Sequence, residues 1–493
     1  MSAPFVRVRS GALIIASMDL NADACYDALV AHDARFDGRV FVGVSSTGIY
    51  CRPVCRVRTP RREVCSFHPS AAAAEAAGFR PCLRCRPELA PGLSAVDAGT
   101  TLAEAAARLI DIHLSDALSV SALARRVGVT DRHLRRLFSA HFGVSPADYL
   151  RTRRLLAAKR LLTDTGLPVD AVAQAVGLGS ARALQAAFAR HYRMTPSALR
   201  QGRAPGRSDD ELRFELPWRP PYDGARVLGF LSGRTIDGVE TVDGPSYRRS
   251  VRLGSVRGWL SARCDSNALV VGLSPSLASV VPVVLGRLRH LFDLDAEPHV
   301  IAETLGALAA GRPGLRLPGA FDGMEMTVRA VLGQQITVKA ARTLAGRFAA
   351  AFGEPVETPW PAVNRVFPSV ERIAALSVSE IASLGVIARR AEAIIRLAVE
   401  VREGRLLLCP GAPVETTIEQ LLAVPGIGPW TANYVAMRAL AWPDAFPEGD
   451  YGIRAALGLC SAAQARAQAE AWRPWRAYAV MHLWAALGEE EKT

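Results

Sequence analysis

The stretch LLAVPGIGPWTANY, residues 421–434, decides the fold of the C-terminal half of this 493-residue chain. Apolar residues recur at helical spacing on both sides of the turn Gly426–Gly428, which predicts two helices joined by a tight hairpin. Such a hairpin directs backbone N–H groups at the start of the second helix toward a phosphate, and glycine permits close approach. A Gly-x-Gly turn alone is a weak signal. It gains weight from Asp450, an acidic residue twenty positions after Trp430.

The composition is that of a folded chain with several domains. Apolar residues make up 50% and charged residues 22%, which excludes wholesale disorder and a collagen-like protein. The length corresponds to about three domains of roughly 150 residues each. Residues 1–207 contain 29 Lys and Arg against 16 Asp and Glu, whereas residues 208–493 contain 30 against 31. This asymmetry predicts a polyanion-binding module that precedes a nearly neutral one.

No apolar stretch is long enough to predict a membrane span. The best candidate, Ala268 to Leu285, is broken by serines and prolines. A signal-like opening at residues 7–16 is short and lacks a cleavage pattern, so we expect a cytoplasmic, nucleoid-associated protein with no membrane partner. Translation starts at Met1 or Met18. The nine cysteines are few and clustered, which favours metal binding in a reducing compartment.

Four of these cysteines form two close pairs, Cys51 with Cys55 and Cys82 with Cys85. The spacing is typical of one tetrahedral Cys₄ zinc site; the alternative is four unrelated reduced thiols. Arginines crowd around both pairs, and so much positive charge beside thiolates predicts a phosphate backbone as the partner. These arginines are Arg52, Arg56, Arg58, Arg61, Arg62, Arg80, Arg84 and Arg86.

Residues 100–202 contain an internal repeat with an offset of about fifty positions. Leu134 and Phe138 recur as Leu184 and Phe188, so the segment predicts two copies of one helical unit.

Each unit reads as a helix-turn-helix whose second helix follows a good N-cap, Thr130 or Ser180. The alternative is a plain helical bundle with a solvated arginine face. The candidate DNA contacts of the two second helices are Arg132, His133, Arg135, Arg136, Arg182 and Gln185.

The character of the chain changes at Leu212. The β-prone segments Tyr247 to Val256 and Leu269 to Leu273 predict an antiparallel sheet with helices. After about Phe321 the pattern is helical almost to the end.

Two N-terminal segments resemble known families. Ser46–Arg56 with Ala77–Cys85 closely resembles the zinc domain of the Ada family over about residues 20–92. The resemblance implies that Cys51 irreversibly accepts a methyl group from a DNA methyl phosphotriester, while Cys55, Cys82 and Cys85 complete the zinc site. Converting one of four thiolates to a thioether changes the formal charge of the zinc site from −2 to −1, so repulsion from DNA phosphates should fall. We interpret the extra thiol of Cys65 as packing.

The repeat resembles the DNA-binding domain of AraC-type regulators, which implies promoter binding and RNA polymerase as a partner. Gln201–Asp210 is interpreted as the linker that follows it.

Residues 214–488 resemble the helix-hairpin-helix DNA glycosylases and, in detail, the AlkA-type alkylpurine glycosylases. Besides the hairpin, five stretches carry this resemblance in order: Pro220–Asp223, Leu228–Leu231, Arg312–Gly319, Val328–Gln335 and Trp472–Ala479. The resemblance implies that Asp450 is the catalytic carboxylate. It also implies a base pocket lined by Trp430, Tyr434, Trp484 and Phe230.

These residue types suit the chemistry. A purine methylated on a ring nitrogen is a cation and a good leaving group, so one carboxylate suffices to stabilise the cationic sugar and position a water. Electron-rich rings would hold the flipped base by stacking and cation–π attraction. From the residues alone, Asp450 reads better as a solvated loop acid and the tryptophans as core packing.

Departures from the family pattern narrow the expectation. Lyase-competent relatives carry lysine where Trp430 stands, so no strand cleavage is expected. Only Cys460 follows Asp450, so the iron–sulfur cluster of some relatives is not expected. Gln335 stands where AlkA-type enzymes have an apolar residue that fills the gap left by the flipped base. The sequence therefore does not predict which residue fills that gap here. The Pro-Cys-His-Arg string of guanine O-alkyl repair does not occur in the chain. A monovalent cation at the hairpin is a further candidate ligand.

We therefore expect a multidomain, mainly α protein. It comprises a small α/β zinc domain (20–92), an AraC-type double helix-turn-helix domain (100–202), an α+β AlkA-like domain (211–320) and an all-α helix-hairpin-helix glycosylase domain (321–488). The expected function is monofunctional hydrolysis of alkylated purines such as 3-methyladenine, as in DNA-3-methyladenine glycosylase II, with methyl-dependent transcription activation through Cys51. The alternative is a regulator whose glycosylase-like half is inactive. A metal-responsive repressor would require an exchangeable zinc, which a closed Cys₄ site disfavours.

Overall fold

The structure, a computed structural model, describes residues 21–91, 102–115, 119–200 and 210–490. The signal-like opening, both candidate start residues and residues 201–209 of the predicted linker lie outside these ranges. No helix within them is long and apolar enough to cross a bilayer.

Residues 21–91 form a small sheet flanked by helices. The sheet has the order β3-β1-β2-β4, in which β2 and β4 are parallel and the other pairs are antiparallel. Gly43 in β1 has no room for a side chain, because the Phe79 ring lies 2.6 Å from where its Cβ would be. The elements are α1 Ala22–Val30, β1 Phe41–Val44, β2 Ile49–Cys51, β3 Cys65–His68, α2 Ala71–Ala76 and β4 Arg80–Pro81.

The repeat folds into two helix-turn-helix units joined by the long helix α6. Thr130 and Ser180 cap the second helices as predicted, each accepting a backbone N–H three residues on. Leu134 and Leu184 are both fully buried, which places equivalent residues in the cores of the two units. The helices are α3 Leu102–Ile112, α4 Val120–Arg126, α5 Asp131–Phe142, α6 Pro146–Asp164, α7 Val169–Ala175, α8 Ala181–Tyr192 and α9 Pro196–Arg200.

The next region is an antiparallel five-stranded sheet with the order β5-β9-β8-β7-β6, packed against helices. The predicted strand Tyr247 to Val256 is in fact most of β7, a turn and the first residue of β8, because Gly254 adopts a left-handed φ of +59°. The elements are β5 Leu212–Pro217, α10 Gly224–Ser232, β6 Glu240–Asp243, β7 Ser246–Leu253, β8 Val256–Cys264, β9 Ala268–Leu273, α11 Val281–Leu291 and α12 Pro298–Leu305.

The remaining described chain is helical, and its apolar faces form two cores. The expectation of a multidomain, mainly α fold is confirmed. The helices are α13 Gly323–Leu332, α14 Val338–Phe352, α15 Val370–Ala374, α16 Val378–Ala382, α17 Ala388–Arg402, α18 Val414–Leu422, α19 Pro429–Arg438, α20 Tyr451–Ala456, α21 Ala462–Ala469 and α22 Arg476–Glu490.

Buried charges join residues 21–91, which we call the zinc region, to the part that contains the sheet β5–β9, which we call the five-stranded region. The Arg219 guanidinium is only 4% exposed and donates to the carbonyl oxygens of Asp37 at 2.9 Å and Asp295 at 2.6 Å. Arg39 forms an ion pair with Glu297 across the same seam. A buried guanidinium requires acceptors, so this seam, the Asp37 seam, depends on both regions.

Candidate functional site

Asp450 occupies the N-cap of α20, and hydrogen bonds fix both of its carboxylate oxygens. Oδ1 accepts the Ile453 backbone N–H at 3.0 Å and the Trp484 indole N–H at 3.0 Å. Oδ2 accepts the Trp430 indole N–H at 3.0 Å. Three donors aimed at one carboxylate hold its orientation.

The aromatic side chains surround this carboxylate. Trp430 and Tyr434 lie one turn apart on α19 and stack with ring centroids 5.2 Å apart. With Trp484 and Asp450 they line a cavity of about 330 Å³. Phe230, predicted as a fourth lining residue, lies beside Trp484, and the two nearly parallel rings have centroids 6.4 Å apart.

Two arginines that sequence reasoning missed also line the cavity. Arg438 donates Nη1 to the Tyr434 hydroxyl at 2.9 Å, and its guanidinium lies 4.8 Å from the Phe230 ring centroid. Arg234 lies 3.8 Å from the same centroid. Burial opposes ionisation of Tyr434, but the positive charges of Arg438, Arg234 and Arg329 together outweigh it, so the pKa of this phenol lies below its usual value. The spacing of four residues between Tyr434 and Arg438 on one helix was the available signal.

The hairpin directly precedes α19, the helix that carries Trp430 and Tyr434. Gly426 adopts φ +97°, which favours glycine, and Gly428 precedes α19 with nothing within 4 Å of where a Cβ would lie. Backbone amides at the start of α19 can therefore meet a ligand directly. Gln334 braces the turn by donating Nε2 to the Gly426 carbonyl at 3.0 Å and to Thr431 Oγ1 at 2.9 Å. Gln335 is exposed and has φ +55°.

The four predicted zinc ligands converge on one point. Cys51 ends β2 and Cys82 follows β4, and these two strands pair in parallel. Sγ atoms of all four cysteines lie within 4.8 Å of one another. A tetrahedral site with Zn–S bonds of about 2.3 Å needs sulfurs about 3.8 Å apart, so this donor set fits zinc. Backbone N–H groups of Arg52 and Cys85 approach Cys85 Sγ and Cys82 Sγ at 3.4 and 3.5 Å.

Access to Cys51 is narrow. The residue is 7% exposed and borders an apolar cavity of about 20 Å³ that Leu29, Val42 and Val57 help to line. Cys65 lies apart from the four-cysteine cluster, at the start of β3.

The arginines around the cluster differ in their surroundings. Arg52 is buried, and its Nε donates to Asp37 at 2.8 Å. Arg86 bonds Asp164 at 2.7 Å. Internal carboxylates therefore hold these two. The exposed members of the set are Arg56, Arg58, Arg61 and Arg84.

The proposed recognition residues point outward. His133 is partly buried, and its Nδ1 lies 3.2 Å from Arg136 Nη2. The exposed members are Arg132, Arg135, Arg136, Arg182 and Gln185.

Four family models match consecutive parts of the chain. They are the metal binding domain of Ada (residues 24–88), a helix-turn-helix domain (123–202), the AlkA N-terminal domain (213–322) and the HhH-GPD superfamily base excision DNA repair protein (328–476).

The chain is also similar to whole proteins. It is 39% identical over 481 residues to a probable bifunctional transcriptional activator/DNA repair enzyme AlkA of Mycobacterium tuberculosis, covering 94% of this chain and 96% of the relative. It is 40% identical over 277 residues to DNA-3-methyladenine glycosylase 2 of Escherichia coli, covering 56% of this chain and 98% of that protein. Among solved structures, 3-methyladenine DNA-glycosylase from Archaeoglobus fulgidus aligns with a TM-score of 0.47 at 23% identity, covering 55% and 97%.

Proposed function

The chain belongs to the family of bifunctional transcriptional activator/DNA repair enzymes. We therefore propose that it releases alkylated purines from DNA by hydrolysis and that Cys51 accepts the methyl group of a DNA methyl phosphotriester. Asp450 carries the first half of this proposal, since two indole N–H groups hold its carboxylate at an aromatic cavity. This arrangement favours an active glycosylase over an inactive DNA-binding half.

The excision mechanism follows from the fixed carboxylate. When the bond between sugar and purine breaks, its electrons leave with the base, and positive charge develops on the sugar. Asp450 stabilises that charge without reorganising, because its oxygens are already oriented. A water then adds to the sugar and loses a proton, with Asp450 as its acceptor. Trp430, Tyr434 and Trp484 hold the flipped base meanwhile.

The hairpin is the proposed phosphate contact of the glycosylase half, and Gly428 tests it. Gly428→Asp places a negative charge where amides would meet phosphate, so kcat/KM for base release should fall about tenfold or more, as for a loss of about 1.4 kcal/mol of binding. Gly428→Ala is the matched control and should retain most activity, because a Cβ there meets nothing within 4 Å. Equal kcat/KM for Gly428→Asp and wild type at moderate salt would contradict the phosphate role.

The second half of the proposal is a single methyl transfer. The Cys51 sulfur attacks the methyl carbon of a phosphotriester, the C–O bond breaks, and its electrons leave with the restored phosphodiester. The remaining three ligands are Cys55, Cys82 and Cys85, and bound zinc would keep the thiols deprotonated. The exposed Arg58 is placed to contact the DNA backbone.

Metal content tests the ligand set. We expect one zinc per chain, and Cys82→Ser should lower this content strongly, because serine is a poor zinc ligand. Cys65→Ser is the matched control, since Cys65 lies in the same region but outside the cluster. Metal analysis of the purified proteins measures both. A Cys65→Ser protein that loses its zinc would reject the assignment.

Transcription activation completes the proposal. The recognition residues of α5 and α8 would bind promoter DNA, and RNA polymerase would be the partner at the promoter, in line with the name of the mycobacterial relative. A monovalent cation at hairpin carbonyls is a further proposed ligand. Both activities act on chromosomal DNA, so we propose a cytoplasmic, nucleoid-associated location.

A further inference from the structure

Glu75 lies between the zinc region and the double helix-turn-helix and binds hydroxyls from both. On its side chain, Oε1 accepts the Tyr50 and Tyr192 hydroxyls at 3.1 and 3.2 Å, and Oε2 accepts Thr152 Oγ1 at 2.9 Å. Arg151, the nearby cation, is paired with Asp148 at 2.6 Å. Burial raises the pKa of Glu75 to about 7. A carboxyl buried without its own cation depends on these hydroxyls, so the contact is specific.

Tyr50 links this carboxyl to the cysteine cluster. It is fully buried in β2 and directly precedes Cys51. Its carbonyl oxygen accepts the Cys82 backbone N–H at 3.0 Å, while its hydroxyl donates to Glu75. The rigid ring of Tyr50 therefore connects the strand of the proposed methyl acceptor to the contact between α2 and the DNA-binding helices.

Helix α2 meets both helix-turn-helix units at equivalent positions. Ser70 caps α2 and donates its hydroxyl to the Phe142 carbonyl at 2.8 Å, at the last residue of α5. Glu75 accepts the hydroxyl of Tyr192, the last residue of α8. Phe142 and Tyr192 are fifty positions apart, the offset of the repeat. We call these two contacts the α2 bracket.

The bracket leaves the DNA-facing ends of both helices uncovered. Arg132 and Arg182 lie in the first turns of α5 and α8 and are exposed. A twelve-residue helix is about 18 Å long, so the contacts at Phe142 and Tyr192 hold the far ends. Proteins of this class place the N-terminal residues of the recognition helix against base edges.

We infer that the α2 bracket, through Ser70 at the end of α5 and Glu75 at the end of α8, fixes both recognition helices relative to the Cys51 strand, so that methylation raises promoter affinity only while the bracket is intact. The inference rests on the proposed methyl-acceptor function. Its physical basis is that two contacts with one duplex reinforce each other when their relative position is fixed beforehand. Glu75 is thus a positioning residue.

The test uses the full chain and two variants that each remove one hydroxyl, Tyr50→Phe and Tyr192→Phe. Both should keep their zinc, accept one methyl group and release 3-methyladenine at the wild-type rate. In both, the ratio of promoter affinities after and before methylation should fall toward one. Amide hydrogen exchange should rise on the side of the Glu75 contact opposite to the mutation. This means residues 188–192 in Tyr50→Phe and residues 49–51 in Tyr192→Phe.

Tyr149→Phe is the matched control, because Tyr149 is buried in the same DNA-binding domain but does not contact Glu75. It should preserve the affinity ratio. An unchanged ratio in Tyr50→Phe and Tyr192→Phe, or exchange that rises only on the mutated side, would overturn the inference. If wild-type protein accepts no methyl group, the sensor function itself fails, and the exchange measurement alone still decides whether the bracket couples the two regions.

Discussion

In the Asp450→Asn protein, release of 3-methyladenine from alkylated duplex DNA falls about 10²–10⁴-fold, the usual range for loss of a proton-accepting group. Asparagine keeps one oxygen for the N-cap bond to Ile453. Its amide nitrogen cannot accept the indole N–H of Trp430 and carries no negative charge to stabilise the cationic sugar. The fold should persist, so zinc content and promoter binding should match the wild type.

Glu448→Gln provides the matched control, because this neighbouring acid pairs with Arg466 at 3.2 Å instead of facing the aromatic cavity. It should release base at close to the wild-type rate. Single-turnover base release measures both variants. Wild-type release by Asp450→Asn would remove this residue from the mechanism.

Incubation with DNA that bears methyl phosphotriesters should add one methyl group to the peptide that contains Cys51, and Cys51→Ser should abolish the transfer. A thioether still coordinates zinc, so the metal should stay bound. Promoter affinity should rise after transfer, because the cluster loses one negative charge beside the DNA backbone. The gain should shrink as salt screens that charge. Mass spectrometry and binding titrations measure the two effects.

Two comparisons separate the alternatives. Cys65→Ser should accept a methyl group like the wild type. Cys51→Ser should still release 3-methyladenine, because Cys51 belongs to the four-cysteine cluster and Asp450 to the aromatic cavity. A methyl group found on Cys55, Cys82 or Cys85 would reassign the acceptor. Unchanged promoter affinity after methylation would reject the charge-based switch.

Local sequence rules located the features that depend on short-range geometry. Thr130 and Ser180 cap helices because a hydroxyl can reach an N–H three residues ahead, which spacing alone reveals. The cysteine pairs converge because β2 and β4 are neighbours. In both cases, a few residues carry the whole signal.

Contacts between distant segments were not predictable in this way. Arg52 read as a DNA contact because its positive charge lies beside Cys51, yet Asp37 neutralises it inside the fold. Arg234 and Arg438 line the cavity, although no local pattern predicted them there. Periodicity assigns a residue to a face of its own helix, but it does not identify the partner that covers that face.

The two sides of the Asp37 seam are synthesised at different times. Arg219 follows Asp37 by 182 residues, and Glu297 follows Arg39 by 258. At roughly 5–20 residues per second, a ribosome needs about 10–40 s to make the first of these distances. Throughout that interval the Asp37 carbonyl lacks its guanidinium partner. Residues 21–91 are therefore complete in sequence before the five-stranded region can dock, and ribosome-bound chains that end before Arg219 carry residues 21–91 and the helix-turn-helix units without that buried guanidinium.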